Sequence, residues 1–124
     1  MIDRMADLQV LDDETARMIA GVCDAIVPGS ARVRPEIYVD ALLARMDAPV
    51  RAAAVAAFAA LAAGDIAAQV RTPAFLWARA LAIEAFYSDF VAPGVDATGA
   101  WAEIDFNTPL ATRLAKDWSY LGIA

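Results

Sequence analysis

A chain of 124 residues that is 60% hydrophobic and 21% charged is long enough for one domain with one core and far from a disordered composition. Its net charge of −6 disfavours a nucleic-acid partner, whose phosphates call for Lys/Arg clusters. With no histidine and one cysteine, Cys23, it lacks the residues for Ser-His-Asp or Cys-His catalysis, Glu-x-x-His di-iron sites, Cys-x-x-Cys-His haem attachment, Cys/His zinc sites or an internal disulfide.

The first helix is expected to start with Asp12 or Asp13 as N-cap after Leu11 and to run to about Val27. Met18, Ile19, Val22, Cys23 and Ile26 recur at helical spacing, and Pro28-Gly29 stops it. Pro35 suits the first position of a second helix carrying Ile37, Leu42, Leu43 and Met46 on one side. Asp47-Ala48-Pro49 opens a third, with Val50, Ala54, Phe58, Leu61 and Ala62 as its stripe and Gly64 as its C′ residue. Its run from Ala52 to Ala63 is the longest apolar stretch of the chain, twelve residues. A membrane span takes about 20, so this is a core helix and no membrane span is expected.

One further turn is expected between Asp65 and Val70. Thr72-Pro73 marks the N-cap and first position of a fourth helix reaching about Val91, with Leu76, Ala80, Ile83, Tyr87 and Phe90 on one face. Pro93-Gly94 ends it. The segment from Pro93 to Thr108 reads as an ordered loop, in which the alternation from Trp101 to Phe106 suits extended backbone. Asn107 or Thr108 caps a last helix from Pro109 to about Tyr120. The expectation is an all-α, single-domain bundle of about five helices over residues 1–124, with a long aromatic-rich loop before the last helix.

Nine of the eleven aromatic residues lie within residues 75–120, more than a short domain hides easily. Phe75, Ile83, Phe90 and Trp118 are assigned to the core. Phe86, Tyr87, Trp101, Phe106 and Tyr120 are the candidates for contact with a protein partner, since aromatic side chains concentrate at the centres of interfaces. No residue is assigned a catalytic, cofactor-binding or metal-binding role, and the isolated chain is not expected to be an enzyme.

The remaining polar features each carry a plain structural reading beside a functional one. Asp96, Glu103 and Asp105 offer oxygens to a hard cation, but their spacing matches no calcium loop and suits turn capping. Glu84 and Asp89 beside Tyr87 suit an acid/base group if buried, and more simply a helix-surface salt bridge of Glu84 with an arginine one turn away. Asp12-Asp13-Glu14 complements the helix dipole. Cys23 is a small core side chain.

Beyond these readings, the stretches Leu11-Asp12-Asp13-Glu14 and Cys23-Asp24-Ala25-Ile26-Val27-Pro28-Gly29 resemble the opening of the gluconate 2-dehydrogenase subunit 3 group. Ala85-Phe86-Tyr87-Ser88-Asp89 and Gly99-Ala100-Trp101 with Ile104 are similar to that group's C-terminal signature. The resemblance implies a small, cofactor-free partner of a flavin-dependent dehydrogenase or oxidase of the glucose-methanol-choline class, acting on alcohol or sugar hydroxyls. FAD and the catalytic residues would then belong to the large subunit. This chain departs from the group where Phe90-Val91-Ala92-Pro93-Gly94 stands for a Tyr-Gly-Gly-Asn stretch, and where Asp105 to Pro109 stand for a Gly-Tyr-Pro-Gly element. It also lacks the twin-arginine signal of many members. No apolar leader is visible at Met1 to Met5, so a cytoplasmic protein is expected, with export together with a partner left open. The residues alone leave a second outcome open, a self-associating helical protein whose aromatics close a homodimer interface.

Overall fold

The computed structural model describes residues 8–103 and 121–122. Within them lie five α-helices: α1 (Asp13–Ile26), α2 (Pro35–Ala44), α3 (Ala48–Ala62), α4 (Pro73–Tyr87) and the single-turn α5 (Ala100–Glu103). Two 3₁₀ turns, Ser30–Val33 and Ile66–Gln69, join them, and no strand occurs among the described residues. The all-α expectation holds. The expected last helix, Pro109 to Tyr120, lies outside the described residues, as does Trp118.

Local chemistry starts α1, α2 and α4 where the sequence indicated. The Asp12 carboxylate accepts the Thr15 N–H at 2.7 Å and caps α1, and these hydrogen bonds to the ionised form hold its pKa below the ordinary value. At the other end Asp24 accepts the N–H groups of Gly29 and Ala31, folding the chain back through a left-handed Gly29 (φ 88°). Pro35 is the first residue of α2, after Arg34 in the left-handed region (φ 57°). Thr72 Oγ1 accepts the Phe75 N–H at 3.1 Å and caps α4. The anticipated turn between Asp65 and Val70 forms, with Asp65 accepting the Ala67 N–H. Gly64 follows the C-cap Ala63 and is the expected C′ residue of α3, which Ala63 N–H to Ala59 O and Gly64 N–H to Leu61 O close without a left-handed glycine.

α2 is the central element. Eight of its ten residues are buried, from Pro35 to Ala41 and Leu43, and it packs against α1, α3 and α4. A single apolar side for this helix understates it. α1 buries Ile19, Val22 and Cys23 of its anticipated stripe and Ala16 besides, with Met18 and Ile26 partly buried, and α3 buries Ala54, Phe58 and Leu61 of its own. Val50 and Ala62, also expected on the α3 stripe, are exposed instead.

α4 buries a different face from the expected one. Ala78, Leu81, Ala82, Ala85 and Phe86 point inward, while Leu76, Ala80 and Tyr87 face outward. Apart from Arg79 and Glu84 the helix is apolar on both its sides, so spacing does not choose between them. Packing chooses the side of small residues, because three alanines let the backbone approach α2 and α3 closely. Phe90 is buried, whereas Phe75 and Ile83 pack at the core's edge.

α4 also ends earlier than expected, at Tyr87. Asp89 adopts the left-handed conformation (φ 67°) that terminates helices, and the Asp89 N–H reaches back to Phe86 O. The chain is then pinned to the first 3₁₀ turn by the Ala92 N–H to Val33 O bond at 3.0 Å. Within the anticipated loop, residues 101–103 are helical rather than extended, being part of α5. No helix among the described residues is long and apolar enough to cross a membrane.

Candidate functional site

The C-terminal end of α4, the chain that follows it and the α1–α2 connection meet at one corner. Arg32 stands at its centre. Its Nη1 donates to Gly29 O at 3.0 Å, its Nε to Thr98 O at 2.9 Å, and its Nη2 to the Glu103 carboxylate at 2.6 Å. Its guanidinium lies 5.0 Å from the centroid of the Phe86 ring, within cation–π range.

Asp89 makes the second join. Its Oδ1 accepts the Trp101 N–H at 3.1 Å, at the start of α5. Gly99 presses against the same carboxylate so closely that a Cβ there would overlap Asp89 Oδ1, so this site admits only glycine without rearrangement. The Trp101 indole then folds back over α4, its Nε1 donating to Tyr87 O at 3.0 Å. That bond satisfies one of the carbonyls a helix C-terminus leaves free.

The corner brings together three of the five expected contact residues and separates their roles. Tyr87 presents its ring to solvent at 51% exposure. Trp101 is half-buried. Phe86 is a correction: at 2% exposure it is a core side chain, because it points beneath Arg32 and meets Tyr87 edge-on at 5.1 Å. It supports the surface and does not form it. Phe106 and Tyr120 lie outside the described residues.

The acids divide in the same way. Glu103 pairs with Arg32, Asp96 is exposed, and Asp105 lies outside the described residues. Among the described residues, no group of three or more His, Cys, Asp or Glu is placed to hold a metal ion. Glu84 accepts the hydroxyl proton of buried Tyr38 at 2.7 Å, where an arginine partner was expected. Cys23 is fully buried, and desolvation, aided by Glu36 and Asp24, pushes its thiol up to about 12. It is no nucleophile at neutral pH.

Two residues that organise this molecule escaped sequence reasoning. Arg32 follows a Pro-Gly turn, and nothing local distinguishes it from any exposed arginine. Asp40 did leave a signal, as the one acid within the apolar run Ile37 to Leu43. It is completely buried and its carboxylate accepts the N–H groups of Gln9, Val10 and Leu11 at 2.6, 3.0 and 2.9 Å.

A second surface lies toward the other end of α4. A groove of about 480 Å³ between α3 and α4 is lined only by apolar residues, among them Val50, Ala53, Ala57, Ala60, Pro73 and Trp77. The Trp77 ring forms its wall and meets buried Phe58 edge-on at 6.4 Å. No family model, curated protein or solved structure matches this chain.

Proposed function

We propose that this chain is a non-catalytic small subunit that binds and stabilises a flavin-dependent oxidoreductase of the glucose-methanol-choline type. The large subunit would hold FAD and act on an alcohol or sugar hydroxyl, and the small one would dock through the Tyr87–Trp101 corner. The supporting observation is a convergence. Ala85 to Asp89 and Gly99 to Trp101, stretches that carry the resemblance, are joined by the Asp89–Trp101 bond. Arg32 links Gly29, at the end of the opening stretch, to Phe86 in the first of them and to Thr98 and Glu103 on either side of the second. A hydrogen-bonded aromatic corner also suits docking physically. Each aromatic side chain removes about 150–250 Å² from water when covered, and a corner already ordered loses little conformational freedom on binding.

The test is capture of partners by the tagged chain from its native host, followed by an absorbance spectrum and a binding isotherm with the captured protein. A large flavin-containing protein is expected. Trp101→Ala should weaken its binding about tenfold or more, the equivalent of roughly 1.4 kcal/mol, and Asp96→Ala less than about twofold. A colourless preparation of this chain alone defeats the reading.

The charge-free α3–α4 groove favours one other reading, a homodimer with no enzyme partner. Its signature is a stable, monodisperse dimer mass for the chain expressed alone, with no flavoprotein captured.

A further inference from the structure

We propose that Arg32 is the positioning residue of the corner surface, the side chain that fixes the pose in which Trp101 is offered to a partner. This rests on the corner being the docking surface. Between the end of α4 and α5 the chain has no regular secondary structure to hold it in place. Arg32 grips it on both sides of Trp101: Thr98, three residues before, gives its carbonyl to Nε, and Glu103, two residues after, gives its carboxylate to Nη2. Those two donors lie on one edge of the planar guanidinium, so a single rigid fork sets the span between Thr98 and Glu103. The other side of the fork is anchored: Nη1 binds Gly29 O in the α1–α2 connection, and the buried Phe86 ring supports the guanidinium from α4. The bonds of Trp101 to Asp89 and Tyr87 tie it to the end of α4, and Arg32 adds the hold on both flanks of the segment that sets its register with the α1–α2 connection.

A lysine cannot do this. Its ammonium is a point charge without a planar fork, and it reaches Thr98 O or the Glu103 carboxylate but does not fix their separation. Charge at the site is preserved in Arg32→Lys while the geometry is lost, which makes this variant the informative one. Both Arg32 and Glu103 are partly exposed, with side-chain exposures of 30% and 48%, so the substitution leaves the core intact.

The experiment uses the full chain labelled with 5-fluorotryptophan, with the Trp101 ¹⁹F line assigned from Trp101→Phe. In Arg32→Lys that line is expected to shift toward the solvent-exposed position and broaden, while the Trp77 line stays in place. The Trp101 backbone amide is expected to exchange about tenfold faster, as for any locally opened segment. Binding to the captured flavoprotein should fall about tenfold, whereas Glu103→Gln in the wild-type background, which keeps an acceptor for Nη2, should retain most of both signals. A Trp101 line and exchange rate unchanged in Arg32→Lys and Arg32→Ala overturn the positioning role. A displaced Trp101 with unchanged affinity overturns its bearing on docking. Failure of the wild-type chain to capture any flavoprotein strikes the docking reading instead, and the ¹⁹F lines still decide whether Arg32 positions the indole.

Discussion

Asp40 ties three consecutive backbone amides of residues 9–11 to the centre of α2 with a carboxylate that has no access to water. Removing one partner of a buried hydrogen bond costs the desolvation of whatever remains, about 1–3 kcal/mol per group, and here three donors lose their acceptor at once. Part of that is recovered if the segment swings out to solvent. Asp40→Ala is therefore expected to lower stability by about 2–4 kcal/mol. Urea denaturation measures the loss, and rapid exchange of the Gln9, Val10 and Leu11 amides assigns it to this site. Cys23 gives a pH-dependent counterpart. Burial raises its thiol from the usual 9.0 to about 12, so the folded chain keeps a proton that the unfolded chain releases. Its contribution to stability is complete below about pH 9 and is lost as pH rises toward 12. Alkaline stability curves should fall more steeply for the wild type than for Cys23→Ala. Parallel curves would count against a neutral, buried thiol.

In α4 the helix and its packed face are set by different forces. Thr72 and Pro73 define where it begins, and every residue inward of them favours helix or tolerates it. The buried side, Ala78, Ala82 and Ala85, is fixed by how near the backbone must come to its neighbours. This separates two substitutions of identical chemistry two residues apart. Ala82→Leu adds three carbons to a site with no exposure and should cost about 1–3 kcal/mol by overpacking. Ala80→Leu adds them on the exposed side and should stay within about 0.5 kcal/mol of the wild type. Equal thermal midpoint shifts for the two would contradict the assigned face.

The two ends of the described chain meet beside α2: Asp40 holds residues 9–11, and Gln9 Nε2 in turn donates to the Leu121 carbonyl at 3.3 Å. The apolar surfaces are instead distributed along α4. Trp77 lines the α3–α4 groove and Tyr87 the corner, about 15 Å apart along a helix that rises 1.5 Å per residue. The surfaces are thus independent enough to test separately. Ala57→Glu places a charge in the groove without approaching Arg32 or Trp101. It should convert any dimer to monomer in sedimentation velocity and leave flavoprotein capture unchanged. Loss of capture in Ala57→Glu with a folded chain would move the docking surface from the corner to the groove.

The helical class, the starts of α1, α2 and α4 and the absence of histidine chemistry are all legible in the residue order alone. These depend on composition or on residues within four positions of one another: Asp12 reaches only to Thr15 and Thr72 only to Phe75. Tertiary structure decided what such ranges cannot hold. The α4 periodicity was silent about its buried face because both sides are apolar. Phe86 and Tyr87 are adjacent and both aromatic, yet one is core and the other surface, because only Phe86 lies under Arg32. The corner depends on pairs separated by 12 residues for Asp89–Trp101, 66 for Arg32–Thr98 and 71 for Arg32–Glu103. Such pairs form only after the helices have packed, since no local preference brings a turn after α1 to the chain after α4.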